Sequence, residues 1–453
     1  MPAIIKNKVD LLSHGNKEGR KIVLDIIEHA IRAVDAYEAT KRKVRIDNDK
    51  LIVGNLIYSL SSIKDIYVVG AGKASFSIAQ ALDEILGNHI KKGLVIVKRG
   101  KKRRLKHIAV IEAGHPVPDE AGLEGARKIM QMAKEAKEGD LVFCVITGGA
   151  SALMPLPAGN ISLEDKRKVT ELLLTCGATV EEINTVRKHI SAIKGGRLAK
   201  YIHPAEIINL IVIDEIAGRP WGPTVPDTTT FRGAANVLRK YNLWEKVPSS
   251  VREYIERGMV NLSLETPKPH EFKDLNVHNI ILANNEIMCE AARERAEKLG
   301  FKSLILSTKL EGESREVGIV LASIAKEIEE KGRPLKPPCV LILGGETTVT
   351  ITGPHGKGGP SQELVLGASL KIAGSKKVVI ASIDTDGTDG PTEIAGGIVD
   401  GYTLKRAEEK GIDIFESLRK HNCYEALMKL RDALITGSTG TNVMDLDIVV
   451  VME

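Results

Sequence analysis

The chain reads as an α/β protein of two α/β domains, each a three-layer arrangement around a mostly parallel sheet. Three observations predict this. At 453 residues it exceeds the size at which one hydrophobic core stops growing. Short apolar runs alternate with helical patterns along most of its length, which is the mark of βαβ units. A Pro-rich, polar stretch from about 245 to 277, with a short helix inside it, breaks the alternation and reads as a connector. The division is therefore expected near residue 250, giving domains 1–250 and 251–453.

The elements follow in order. Ile22, Ile26, Ile27, Ala30, Ile31 and Val34 recur at helical spacing, so the chain opens on an amphipathic helix over 19–44. Ile66 to Val69 form a short strand, Gly70, Ala71 and Gly72 turn the chain, and Ile78, Ala81, Leu82, Ile85 and Leu86 mark a helix closed by Gly87. "GLVIVKRG" is the next strand. A helix over 120–138, the strand "DLVFCVITGG", a helix over 162–176 and the strand "EIINLIVID" complete the first half. In the second half the strands "IILA" and "SLILS" bracket a helix over 285–299, and another helix spans 315–330. "CVLILGGETTVTIT" predicts two strands joined by Gly344 and Gly345. A helix over 361–373, the strand "KKVVIASI", further helices and a closing strand "LDIVVVM" end the chain.

Composition narrows the class. Apolar content of 43% and charged content of 27% describe an ordinary globular chain. A net charge of +5 argues neither for nor against nucleic acid. Five cysteines without a CxxC pair read as buried thiols in a reducing compartment rather than as disulfides or a zinc site. No start resembling a signal peptide and no apolar run approaching about 18 residues is present, so a cytoplasmic location is expected. Only three Gln against abundant Lys and Glu suggest a thermophilic source.

Small-residue turns close several strands: "GAGKAS", "TGGASA", "GGETT" and "DTDGTDG". Ligands of open α/β sheets bind at such carboxyl ends, and amides exposed by glycine turns suit phosphate oxygens. Each turn alone is ordinary punctuation; four together point to phosphate handling. Gly70, Gly72, Gly148, Gly149, Ser151, Gly344, Gly345 and Thr347 are the candidate nucleotide or phosphate contacts.

"GAGKAS" is not a Walker A loop, because Tyr67 replaces the first Gly and Ala74 stands where Ser or Thr would hold magnesium. As a dinucleotide fingerprint it lacks the third Gly, replaced by Ser75, and the following strand ends in Lys98 and Arg99 rather than a ribose-binding acid. Lys73 opens a helix, where the dipole disfavours a cation. It is either solvated or held for a bound anion. Ser151 is no hydrolase nucleophile, since Leu153 occupies the last Gly position of that elbow.

Asp384, Asp386 and Asp389 crowd the end of an apolar strand. Their spacing fails the calcium loop of an EF-hand, because Thr388 and Asp389 take its last two places. Magnesium takes one or two carboxylates and completes its shell with water and phosphates, which Asp386 and Asp389 suit. Either could instead receive the proton of an attacking hydroxyl, or the acids could form Asx turns that cap helices. Asp384 still lies within the strand and reads as structural. Glu346 is another carboxylate at a strand end.

Arg187, Ser191 and Lys194 fall three to four residues apart, on one expected helix face ending at Gly195 and Gly196. Such a face holds an acidic substrate or is simply solvated. The basic run 97–107 is a solvated loop or an RNA-binding strip, and no aromatics interleave it for stacking. His115 and His189 flank polar turns as possible acid–base groups, surface or supporting roles being the simpler reading.

In their order, "VVGAGKAS", "AGHPVPDEAG", "ITGGASALMPLP", "INTVRKHISAIKGGRLA", "GPTVPD", "GGETTVTITGPHGKGG", "DTDGTDGPTEIAGGIVDG" and "TGSTGTNVMDLDIVV" resemble the class II glycerate kinases, the MOFRL family of glycerate 2-kinases. The resemblance runs from about residue 20 to the end. It implies ATP- and divalent-metal-dependent phosphorylation of D-glycerate at the 2-hydroxyl, a two-domain α/β architecture with an interdomain cleft, and a homodimer. It implies Lys73 as the catalytic cation and Asp386 and Asp389 as catalytic or metal-binding groups, with Glu346 beside them and the glycine turns around ATP. Arg187 and Lys194 then become substrate contacts. The family's "GGRNQE" reads Gly359-Pro360-Ser361-Gln362-Glu363 after Gly358 here, so its arginine's task is absent or falls to another residue such as Arg187 or Lys194. The segment around Asp214 is also shorter than the family's. The alternatives are an NAD(P)-dependent hydroxypyruvate reductase and a non-catalytic nucleotide- or RNA-binding protein; neither nucleic acid nor membrane is the expected partner.

Overall fold

The computed structural model describes residues 3–100, 104–216 and 218–453. The chain forms two compact units, one of Thr40–Val212 with Pro220–Leu282, the other of Met1–Ala39 with Ile213–Arg219 and Ala283–Glu453. The expected division at 250/251 is therefore replaced by crossings near 39, 212, 219 and 282. The opening helix explains the first crossing: its buried face, including Val23, Ile26 and Ile27, packs on the strands Val378–Asp384 and Asp445–Val451 and on the helix Asn285–Lys298. The stretch read as a connector carries the helix Ser249–Val260, whose Val251, Tyr254 and Ile255 belong to a core of the other unit.

In the unit of residues 40–212 and 220–282, six strands lie in the order Ala109–Ala113, Ile90–Lys98, Ile66–Ala71, Leu141–Ile146, Glu206–Val212, Val277–Ala283. The registers from the first of these through the fifth are parallel. Numbered along the chain, this is the 3-2-1-4-5-6 order of the doubly wound fold. Tyr67, Val69, Val142 and Cys144 share a core with the helices Glu120–Glu135 and Arg197–Ile202. The intervening Val68, Phe143 and Val145 are equally buried. Strands covered on both faces read as continuous apolar runs, which is why they were legible. The helices Leu163–Thr175, Val180–His189, Phe231–Lys240 and Ser249–Val260 build a second core around Phe231.

The other unit holds a six-stranded sheet in the order Lys302–Leu310, Cys339–Gly345, Asp445–Val451, Val378–Asp384, Gly396–Asp400, Ala433–Leu434. Only its first pair is parallel; the remaining pairs are antiparallel. This sheet is mixed, so the expectation of a mostly parallel sheet applies to the first unit alone. Both faces are again covered, and a strand buried on both sides looks the same in sequence whichever way its neighbour runs.

Several local expectations change. The opening helix is two, Lys17–Ala33 and Ala36–Lys43, because Asp35 Oδ1 accepts the amide of Glu38 at 2.8 Å and starts a new one. Beyond it an antiparallel meander, Val44–Asp47, Lys50–Val53 and Leu56–Ser59, replaces the helix end. The helix bearing Arg187 stops at His189, so Ser191 and Lys194 stand in the turn that follows rather than on its face. Residues 347–352 form no second strand, only a bridge from Thr348 to Glu313. Within the basic run 97–107, Lys101, Lys102 and Arg103 lie outside the described residues. Among those described, no helix is long and apolar enough to cross a membrane.

Candidate active site

The switch point of a doubly wound sheet lies where the strand order reverses, here between Ile66–Ala71 and Leu141–Ile146. The two turns "GAGK" and "TGG" leave the carboxyl ends of these neighbours. They are bonded to each other: the Lys73 amide donates to Gly148 O at 2.7 Å, and the Ala74 amide to Thr147 Oγ1 at 3.1 Å. A Cβ at Gly72 would fall 2.0 Å from Thr147 Oγ1, so only glycine allows this approach. Gly149 adopts φ +86°, and a Cβ there would meet His115 Nε2 at 2.9 Å and Lys73 Cγ at 3.4 Å. Lys73, His115 and Gly149 thus share one small space. Burial lowers the His115 pKa, with Lys73 and then Lys98 adding to the effect, so the imidazole favours its neutral form.

A second group of cations adjoins the first through Ser151, which opens the short helix Ala150–Leu153. Lys194 Nζ donates to Ser151 Oγ. Lys194 is 9% exposed and Lys166 3%. Lys166 Nζ donates to Leu156 O at 3.3 Å, the same carbonyl that accepts Ser191 Oγ at 3.0 Å. Among the described residues none of Lys166, Arg187 and Lys194 pairs with a carboxylate. Asp227, the nearby acid, is taken by Lys188 at 2.8 Å and by Thr229 and Thr266. Burial pushes the Lys166 ammonium down to about 7, with Arg187 and Arg197 contributing. Lys194 falls well below its usual range through burial, then Arg187, Lys166 and Lys188. Buried charges ordinarily come paired, so this pocket suits an anion.

His189 is fully committed elsewhere. Its ring nitrogens meet Thr185 O and Glu265 Oε1, each at 2.8 Å, and its ring lies edge-on to Phe231 at 4.7 Å. It braces the helical core.

In the other unit the carboxylates gather at adjoining strand ends. Asp445 pairs in register with Gly345 on one side and Asp384 on the other. Burial raises the Asp445 pKa well above the usual range, and Asp384, Asp389, Asp447 and Glu346 add to it. Asp447, two residues on, is pushed up to about 7 by burial. Neither was singled out by the sequence, because an acid inside "MDLDIVVV" reads as strand interior. Asn285 braces the cluster, donating from Nδ2 to Val443 O at 2.9 Å and Asp445 O at 3.0 Å. A cavity of about 130 Å³ opens beside Asn285, Lys309 and Met444.

The acidic turn divides in two. Asp384 Oδ1 accepts the Asp386 amide at 2.9 Å, and Asp386 Oδ1 accepts the Thr388 amide at 2.9 Å. These are Asx turns that hold the loop at the strand end. Asp389 instead turns inward: its two oxygens accept the amides of Ser361 at 3.1 Å and Gln362 at 3.0 Å, the first turn of the helix Pro360–Lys371. Burial pushes Asp389 up to about 7 against those bonds. Pro360 is the first residue of this helix, a position that suits proline. Thr347 Oγ1 accepts from Ser314 Oγ at 2.9 Å, and the Glu346 amide donates to Leu310 O at 2.9 Å. Among the described residues no group of three or more His, Cys, Asp or Glu side chains is arranged to hold a metal ion.

Comparison with known proteins places this geometry. Residues 22–256 match the family described as "Domain of unknown function (DUF4147)", and residues 339–445 the "MOFRL family". A glycerate 2-kinase of Pyrococcus horikoshii is 48% identical over 95% of this chain and 97% of its own. The crystal structure of a glycerate kinase from Thermotoga maritima matches with a TM-score of 0.84 at 38% identity, covering 95% of this chain and 99% of that one. A relative from Agrobacterium vitis, provisionally named a hydroxypyruvate reductase, is 39% identical over 84% of this chain and 85% of its own. With nearly its whole length matched at such identity, the chain belongs to the MOFRL family of glycerate kinases.

Proposed function

We propose that this protein transfers a phosphoryl group from ATP to the 2-hydroxyl of D-glycerate, giving 2-phosphoglycerate and ADP. The observation that carries the reading is the pair of buried ammonium groups, Lys166 and Lys194, with the half-buried Arg187 facing them, none paired with a carboxylate among the described residues, beside the turn that bears Lys73. A small acid supplies the missing negative charge. Phosphoryl transfer is catalysed chiefly by positioning and by charge placed around the transferring group. In this reading Arg187 and Lys194 take the glycerate carboxylate. Lys73 neutralises charge on the phosphoryl group, and His115, kept neutral, fixes its aim. Gly70, Gly72, Gly148, Gly149 and Ser151 offer amides and a hydroxyl to phosphate oxygens.

A divalent ion such as Mg²⁺ fits the acid-rich strand ends, where burial, and then four neighbouring carboxylates, raise Asp445. That crowding is relieved by a cation, and magnesium needs only one or two protein carboxylates beside phosphate oxygens. Asp386 and Glu346 are the proposed ligands. Asp389, read from the sequence as a ligand or base, is proposed to act by fixing the helix Pro360–Lys371. Five unpaired thiols suit a reducing cytoplasm. A homodimer and a thermophilic source complete the proposal.

The test is ADP release by purified protein with ATP, Mg²⁺ and D-glycerate; no release above a glycerate-free control overturns it. A reductase reading draws on the doubly wound strand order and on the Agrobacterium vitis relative. Against it, the third fingerprint glycine is Ser75, whose Oγ donates to Gly72 O at 2.7 Å inside the turn. Oxidation of NAD(P)H by hydroxypyruvate would favour it.

A further inference from the structure

The pocket of Lys166, Arg187 and Lys194 has a property that goes beyond holding a carboxylate. Lys166 lies on the helix Leu163–Thr175 with its ammonium turned inward. It faces Arg187 from the helix Val180–His189, Arg197 from the helix Arg197–Ile202, and the carbonyl of Leu156. Lys194 faces Arg187, Lys166 and Lys188, and its bonded neighbour is Ser151. The nearest acids are spoken for: Asp227 holds Lys188, and Glu265 holds His189. Arg197 spends its guanidinium on the carbonyls of Lys188 and Leu264. Two buried ammonium groups and the partly buried Arg187 therefore lie together with no counter-charge paired to them among the described residues.

We propose that Lys166 is a positioning residue of the substrate-anion site, and that binding of the acidic substrate draws a proton into the cluster of Lys166, Arg187 and Lys194. The proposal rests on the glycerate-kinase reading for the identity of the anion, not for the existence of the site. Burial and mutual repulsion both disfavour full protonation of the two lysines while the pocket is empty. The repulsion comes from Arg187, whose guanidinium stays charged. An anion at Arg187 and Lys194 reverses the balance, because each ammonium then gains an opposite charge in a low-dielectric site. Lys166, bonded to Leu156 O behind that pair, acts through its charge and through the loop it shares with Ser191. The sign follows from linkage. Lysines depressed in the free protein and restored in the complex take up protons on binding. Affinity then weakens as pH rises from about 7 toward the ordinary lysine range, by up to about tenfold per pH unit for one proton.

The experiment is calorimetric titration of the whole protein with D-glycerate and, separately, with sulfate near pH 8 in HEPES and in Tris. Both anions are fully deprotonated there, so any dependence of the heat on buffer reports protons taken by the protein. We expect uptake in wild type, reduced uptake in Lys166→Met, where the competing charge is gone, and retained uptake in Lys166→Arg. Binding heats of wild type that do not depend on buffer overturn the proposal. So does Lys166→Met with wild-type uptake, or failure of both anions to bind. If Lys166→Met does not fold, wild type and Lys166→Arg still decide. Uptake with sulfate but no binding of glycerate leaves the site standing and removes glycerate as its substrate.

Discussion

The backbone amide of Lys73 donates to the carbonyl of Gly148 at 2.7 Å, so the turns closing two neighbouring strands are one piece of structure. The direction of the Lys73 side chain is therefore set by both turns. Replacing Lys73 with Ala keeps that backbone bond and removes the side chain beyond Cβ, its ammonium included. The expected result is a fall in kcat of about 10²–10³-fold, the loss typical of one charge-stabilising group, with the melting temperature unchanged. ADP release and thermal unfolding on the same samples check it. Near-normal turnover would remove Lys73 from the reaction.

Gly149 separates Lys73 from His115. A methyl group there would meet the imidazole at 2.9 Å at a left-handed φ of +86°. Gly149→Ala should cost about 1–2 kcal/mol of stability and lower kcat more than it raises KM, because the methyl group crowds both the ring and Lys73. Steady-state kinetics with chemical denaturation measures both. An unaltered kcat would show that the spacing of these two groups is unimportant.

Asp386 and Asp389 should separate experimentally. Asp389 bonds two amides of a helix start, so Asp389→Ala strands buried donors and should cost about 1–3 kcal/mol in urea unfolding. Asp386→Asn keeps an acceptor for Thr388 and should leave stability nearly unchanged while raising the Mg²⁺ concentration needed for half-maximal rate. If instead Asp389→Asn alone shifts the metal dependence, the two roles are exchanged.

These contrasts show what the sequence could and could not carry. The parallel sheet and the glycine turns at its switch point were legible because both-face burial and glycine punctuation are local patterns. Lys194 was identified but placed on a helix, since the spacing from Arg187 mimics a turn of helix and nothing local marks the stop at His189. Lys166 was invisible: a lysine in "EDKRKV" looks solvated until a second helix covers it. Asp445 and Asp447 were hidden likewise, because crowding is a property of strand register. The antiparallel strands of the other unit went unread because direction leaves no trace in a doubly buried strand.

Asp447 offers a pH test. Its carboxyl is pushed up to about 7 by burial, above the unfolded value of about 3.9. A raised carboxyl pKa contributes stability below the unfolded pKa and loses it as pH rises through about 7. Asp447→Asn should therefore raise the unfolding free energy of metal-free protein near pH 8, by on the order of a few kcal/mol, and change it little near pH 5. Equal shifts at both pH values would contradict a buried, titrating carboxylate.

Arg20 anchors the opening helix to the sheet it covers. Its Nε meets Asp400 Oδ2 at 2.6 Å and its Nη1 meets Asp432 Oδ1 at 2.8 Å, all three side chains fully buried. Arg20→Met leaves the buried Asp400 without its cation, while Asp432 keeps Arg406 at 2.6 Å, and should cost about 3–5 kcal/mol. A loss under about 1 kcal/mol in urea unfolding would mean that water reaches this site.

The central claim is phosphoryl transfer to one hydroxyl of a small acid. ³¹P and ¹H NMR of the product formed from ATP, Mg²⁺ and D-glycerate tests it most directly, with Lys73→Ala alongside. Wild type should yield 2-phosphoglycerate and the variant almost none in the same time. A product phosphorylated at the 3-hydroxyl, or none at all from wild type, would contradict the account.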